Sequence, residues 1–118
     1  MSTQEIAKRF YVLSQEGKWD EIQNELFSKD AKSIEPAHAQ GLTTVVGLDK
    51  IKEKGKQWAS MIQEVHGGYC HEPQVAGNYF ACAMGVDVTM KGQPRMSMDE
   101  IALYEVRDGK IVSEQFFF

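Results

Sequence analysis

Met98-Asp-Glu-Ile-Ala-Leu-Tyr-Glu-Val-Arg-Asp-Gly-Lys-Ile-Val-Ser-Glu-Gln-Phe-Phe-Phe118 consists of two apolar-rich runs joined at Asp108-Gly109. A tight turn between antiparallel strands needs positive φ, which glycine adopts without steric cost, so Asp-Gly at this place predicts a hairpin. The second run ends in Phe116, Phe117 and Phe118 and is too apolar to be left frayed, so it is expected well inside a sheet. Side chains alternate along a strand. Glu100, Ala102 and Tyr104 therefore share one face of the first run, and Glu114, Phe116 and Phe118 share one face of the second.

Working backwards, Glu64 to Glu72, Tyr79 to Met90 and Met96 to Val106 read as further strands, punctuated at Pro73, Gly77 and Lys91-Gly92-Gln93-Pro94. With the last run they form a curved antiparallel meander. Gly67-Gly68 would weaken the first of these strands or mark a bulge that bends the sheet. In the Tyr79 to Met90 strand, Phe80, Cys82, Met84, Val86, Val88 and Met90 make a greasy inner wall. The opposite face carries small residues that suit close approach of a second sheet, so a homodimer through the sheet is expected.

The first half is helical. Ile6, Phe10 and Leu13 recur at helical spacing between Thr3 and Gln15, and Gly17 ends that helix. Asp20 is placed to cap a second helix with Gln23 at the capping-box position, burying Ile22 and Leu26. Ala31 to Glu35 and Thr43 to Val46 read as short strands, and a third helix is expected from Asp49 to Gln63 with Ile51, Trp58 and Ile62 facing the core. Lys50, Lys52, Lys54 and Lys56 fall on flanks around that stripe and are expected to be solvated.

At 118 residues and 42% hydrophobic content the chain fits one domain, residues 1–118. A net charge of −4 argues against a nucleic-acid partner. Residues 1–30 contain neither a signal-peptide pattern nor an apolar span, so no membrane association and a cytoplasmic location are expected. Cys70 and Cys82 lack C-x-x-C spacing and read as reduced packing residues. The histidines His38, His66 and His71 show no metal-binding spacing, and there is no nucleophile elbow or phosphate loop, so neither metal nor cofactor is expected.

In order along the chain come Gly-Lys-Trp-Asp-Glu-Ile at 17–22, Leu-Phe-x-x-Asp-Ala at 26–31, Glu-Pro at 35–36, Val-Val-Gly-Leu-Asp-Lys-Ile at 45–51 and Asp-Gly-Lys-Ile-Val at 108–112. Their order and spacing resemble the NTF2-like superfamily, and within it the SnoaL-like cyclases and ketosteroid isomerases. The resemblance implies an α+β cone in which three helices pack on a strongly curved, mainly antiparallel sheet around a pocket. It places a general base at Glu35 before Pro36. It also places the two oxyanion donors of the isomerases at Phe10 and Ala102, neither of which can donate a side-chain hydrogen bond, so steroid isomerisation by that route is not expected.

Alternation offers replacements. Glu100 could move the acid two residues along its strand, and Glu35, Glu100 and Glu114 could converge; a carboxyl among Phe, Met and Trp has its charged form disfavoured, as a general acid or poised base requires. The competing expectation puts Glu100 and Glu114 on the solvent face or dimer seam, paired with Arg95, Arg107 or Lys110. The catalytic candidates are thus Glu35, His38 and Glu100. Phe10, Trp58, Ile62, Met84, Tyr104, Glu114 and Phe116 are the candidate lining for a small apolar molecule. Cofactor-free isomerisation, cyclisation or dehydration is the expected chemistry, against a non-catalytic binding or dimerisation module whose cavity is filled by its own side chains.

Overall fold

The computed structural model describes residues 1–39 and 41–118. Among these residues three helices, α1 (Thr3–Gln15), α2 (Trp19–Leu26) and α3 (Leu48–Ser60), accompany seven strands: β1 (Phe27–Ile34), β2 (Val45–Val46), β3 (Ile62–Cys70), β4 (Gln74–Ala76), β5 (Tyr79–Met90), β6 (Arg95–Arg107) and β7 (Lys110–Phe117). The sheet order is β2-β1-β7-β6-β5-β3, with β4 on the edge of β5. The sheet is mixed, because β1 runs parallel to β7. It forms the α+β architecture expected of the resemblance.

Local chemistry accounts for the elements. Ser2 closes a capping box on α1: its hydroxyl accepts from the Glu5 N–H at 3.1 Å and its own N–H donates to the Glu5 carboxylate at 2.9 Å. Ile6, Phe10 and Leu13 are buried along one stripe of that helix. The β6–β7 hairpin turns at Asp108 and Gly109 with φ of 50° and 72°, the two positive values a type I′ turn needs. β7 lies between β1 and β6, so the Phe116-Phe117 run is indeed inside the sheet. The β3–β5 register shifts between Val65 and Gly67, where the glycine pair bends the strand.

Several boundaries differ from the sequence reading. α2 begins at Trp19, its cap position is Lys18 without a side-chain hydrogen bond, and Asp20 lies inside the first turn. β1 starts at Phe27 because the chain leaves α2 directly into extended backbone, Phe27 having φ −84° and ψ 140°. α3 stops at Ser60 with Met61 as its cap, which hands Ile62 to β3, where it pairs with Met90. Ile62 is therefore a strand residue, its β-branched side chain suited to the ladder. Lys54 corrects the reading of α3 as well. It is buried, not solvated, because Ile51, Lys54 and Trp58 at i, i+3 and i+7 share the face turned to the sheet.

Candidate active site

Ladder register sorts the concave face into three cross-strand rows: Ser33, Glu114, Tyr104 and Phe80; then Phe116, Ala102 and Cys82; then Glu100, Met84 and Cys70. The floor under α1 is aromatic. Phe10 meets Phe80 edge-on at 5.3 Å and Tyr104 at 4.8 Å, while Tyr104 stacks on Phe80 at 4.9 Å. Ala102, the position of the isomerases' acid, is fully buried between Phe116 and Cys82. The Cys70 and Cys82 thiols are free, buried and 4.0 Å apart.

Beyond that floor the polar groups gather. β1 turns Ala31 and Ser33 onto the inner face, Glu35 follows directly after the strand, and the Glu35 N–H donates to Thr44 Oγ1 at 3.0 Å, which fixes the segment entering Pro36. Lys54 reaches down from α3, donating to Ser33 Oγ at 2.7 Å and lying 3.5 Å from the Glu35 carboxylate. The side chains of this ion pair are only 9% and 6% exposed. The Ser33 hydroxyl in turn donates to Glu114 Oε2 at 2.7 Å. The Lys54 ammonium also lies 5.9 Å from the Phe116 ring centroid. A chain of contacts thus runs Glu35, Lys54, Ser33, Glu114.

The electrostatics follow from burial. Glu114 is pushed up to about 7, chiefly because burial penalises its charge; the Ser33 hydrogen bond and Lys54 oppose this, and Glu35 adds repulsion. Glu100 is also pushed up to about 7, by burial first and then by Glu35 and Glu114. Among the described residues Glu100 has no ion-pair or side-chain hydrogen-bond partner. Tyr104 is raised well above its ordinary value by burial and by Glu114, so it retains its proton across the neutral range. Three carboxyls, two of them balanced between charge states near pH 7, can hold a neutral and an ionised carboxyl side by side.

The expected pairing of Glu100 and Glu114 with surface cations does not occur. Arg95 binds Asp87, Arg107 binds Glu105, and Lys110 donates to the Glu25 carbonyl. Met84 is buried beside Glu100, and Phe116 packs on the core from the edge of the site. Trp58 is half-buried on the inner face of α3, one turn beyond Lys54. Ile62 lies at the start of β3, paired to the far end of β5. His38 is exposed in the turn after Pro36, edge-on to the Phe118 ring at 5.3 Å, and is not brought to the carboxyls by any contact. Lys54 and Ser33 were missed as site residues. The signal for both was periodicity: Lys54 on the stripe of Ile51 and Trp58, and Ser33 two residues before Glu35 on one strand.

The convex face is different in kind. Tyr69, Tyr79, Ile101 and Phe117 are exposed on it, and Lys32, Ile34, Tyr79, Leu103, Glu105 and Gln115 border an open depression of about 430 Å³. No helix among the described residues is long and apolar enough to cross a membrane.

Comparison with known proteins agrees with this architecture. A family model described as a SnoaL-like domain matches residues 1–118. Among solved structures, a protein named as a candidate SnoaL-like polyketide cyclase from Mesorhizobium loti is 34% identical, with a TM-score of 0.92 over 100% of both chains. An NTF2-like protein of unknown function from Burkholderia pseudomallei is 16% identical, with a TM-score of 0.79 over 100% of this chain and 92% of its own. TerC co-crystallised with polyporic acid is 18% identical, with a TM-score of 0.78 over 98% of this chain and 90% of its own. No curated protein sequence matches the chain.

Proposed function

The chain belongs to the SnoaL-like domain family, and from that premise we propose that it binds a small, mainly apolar molecule on the concave face and moves a proton on it by carboxylate acid–base chemistry. The observation that carries this reading is the carboxyl cluster: Glu100 and Glu114 held up to about 7 beside Glu35, which is paired with Lys54. Groups balanced between charge states at the working pH make the best general acids and bases. Glu35 is the base that takes a proton from a carbon acid. Glu100, in its neutral form, hydrogen-bonds the oxygen on which charge develops and gives up its proton there; in an isomerisation Glu35 then returns its proton to a second carbon as Glu100 takes its own back, and in a dehydration the protonated oxygen leaves as water. Phe10, Met84, Tyr104 and Phe116 form the apolar wall, with Trp58 above them. His38, exposed on its turn, takes no part. That TerC was co-crystallised with polyporic acid supports small-molecule binding on this scaffold.

The test is ring opening of nitrobenzisoxazole, an apolar bicyclic carbon acid that yields a coloured phenolate when a base removes its proton. Turnover above free carboxylate is expected for the wild type, and Glu35→Gln abolishes it with the fold intact. Undiminished turnover in that variant removes Glu35 from the mechanism.

A second reading rests on the floor, where Phe10, Phe80 and Tyr104 fill space against one another. It makes the protein a non-catalytic binding or dimerisation module. Thermal shift against a panel of polycyclic phenols and ketones separates the two, because a filled module gives neither a shift nor turnover. In either case the apolar convex face is read as the surface of a homodimer, since exposed Ile101 and Phe117, paired across β6 and β7, and exposed Tyr69 on the far side of β5 form a patch of the kind that marks protein contact.

A further inference from the structure

Lys54 is the only cation paired with the three carboxyls among the described residues, and it is placed asymmetrically. Its ammonium lies 3.5 Å from Glu35 and 2.7 Å from the Ser33 hydroxyl, which separates it from Glu114. Glu100 sits two rows beyond Ser33 and Glu114 along the sheet, between Met84 and the end of β7, and among the described residues has no ion-pair partner. A buried lysine is retained in an apolar setting only when its charge is matched, and here the match is Glu35.

We propose that Lys54 is a positioning residue that divides the labour among the three glutamates: it fixes Glu35 as the anion and leaves Glu100 as the neutral carboxyl. The assignment rests on the acid–base reading above, which names those two roles but does not say what keeps them from exchanging before substrate binds. Two neighbouring carboxyls of similar environment share one proton indifferently, whereas one cation beside only one of them breaks that symmetry. Ser33 completes the device. By accepting from Lys54 and donating to Glu114, it orients the ammonium and ties the third carboxyl to the same charge without a direct ion pair.

The groups facing this cluster come from every element packed on it: Glu35 after β1, Ser33 on β1, Lys54 on α3, Cys70 on β3, Cys82 on β5, Glu100 and Tyr104 on β6, and Glu114 on β7. Tyr104 is raised by burial, and Cys82 by its hydrogen bond with Cys70 and then by burial, so both remain neutral at pH 7; Cys70, lowered to about 7 by that same hydrogen bond, lies across Met84 in the row of Glu100 and makes no contact with Glu35. Lys54 is thus the group whose removal changes the division.

The experiment is a carbon-13 NMR titration of the glutamate side-chain carboxyls in the full chain, assigned with single Glu→Gln variants, comparing wild type, Lys54→Met and Lys54→Arg. In Lys54→Met the Glu35 midpoint is expected to rise by at least about one pH unit and the Glu100 midpoint to fall, while Lys54→Arg keeps the wild-type order. A merely structural lysine would move all three together or none. An unchanged Glu35 midpoint in folded Lys54→Met overturns the proposal. Should Lys54→Met fail to fold, the wild type still decides: the Lys54 Cε resonance is expected to step at the Glu35 midpoint, and its absence there also overturns the proposal. These readouts need no substrate. If Lys54 behaves as stated while Glu35→Gln retains turnover, the catalytic reading fails and the charge division stands alone.

Discussion

Replacing Glu114 with Gln should make the protein more stable at pH 8 and leave it unchanged below pH 4.5. In the folded chain burial holds this carboxyl up to about 7, against 4.5 for an ordinary glutamate. Below the unfolded value both states carry the proton and burial is harmless. As pH rises, the unfolded chain ionises first, so the folded state loses about 1.4 kcal/mol per pH unit until its own carboxyl ionises, and the loss levels off at about 3 kcal/mol. Glu114 is almost fully enclosed, so solvent screening does not reduce this much; Glu100, half-exposed, contributes a smaller loss of the same sign. Gln keeps the shape and can still accept from Ser33 Oγ, so it removes the titration without removing the contact. Urea unfolding at half-unit steps from pH 4.5 to 8, read as a midpoint shift at constant slope, measures the difference directly. The variant should gain about 3 kcal/mol over wild type by pH 8, or about 10 °C in Tm for a domain of this size. Parallel stability profiles for the two proteins would refute the argument that burial, opposed by Ser33 and Lys54, governs this carboxyl.

Two further outcomes follow from the convex face. A Cβ added at Gly85 would lie 2.6 Å from Tyr69 Cε1, 2.8 Å from the Met98 carbonyl oxygen and 2.9 Å from Asp99 Oδ1, and the Tyr69 hydroxyl already donates to Asp99 at 2.6 Å. Gly85→Ala should therefore lower stability by about 1–3 kcal/mol in thermal unfolding, because a backbone carbonyl cannot move aside cheaply; an unchanged Tm would show the strand to be softer than its ladder implies. Ile101→Glu combined with Phe117→Glu puts two charges on the exposed apolar patch. Sedimentation equilibrium should then show a dimer for wild type and a monomer for the double variant, and a wild-type monomer at micromolar concentration would remove the dimer.

Local signals carried most of the fold. The Asp108-Gly109 turn, the alternation of β5 and the glycine pair at 67–68 each act over a few residues, and each is found as the sequence implies. The parallel pairing of β1 with β7 joins residues some eighty positions apart, so no periodicity along the chain records it. It is nonetheless what brings Ser33 beside Glu114 and so builds half of the site. The end of α3 was misread because Ile62 continues the helical stripe of Ile51 and Trp58, and only the β3–β5 ladder decides between helix and strand there. Lys54 was hidden differently. Among four alternating lysines its charge argued for solvent, whereas its phase on the helix argued for the core, and the matching carboxylate that resolves the conflict lies on another element.

Proton transfer on the concave face depends on which of its carboxyls hold a proton at neutral pH. A carbon-13 titration of the wild-type glutamate side chains decides it. Glu100 and Glu114 are predicted to titrate at about 7. Both titrating at the ordinary value of 4.5 would contradict a buried carboxyl cluster poised for proton transfer.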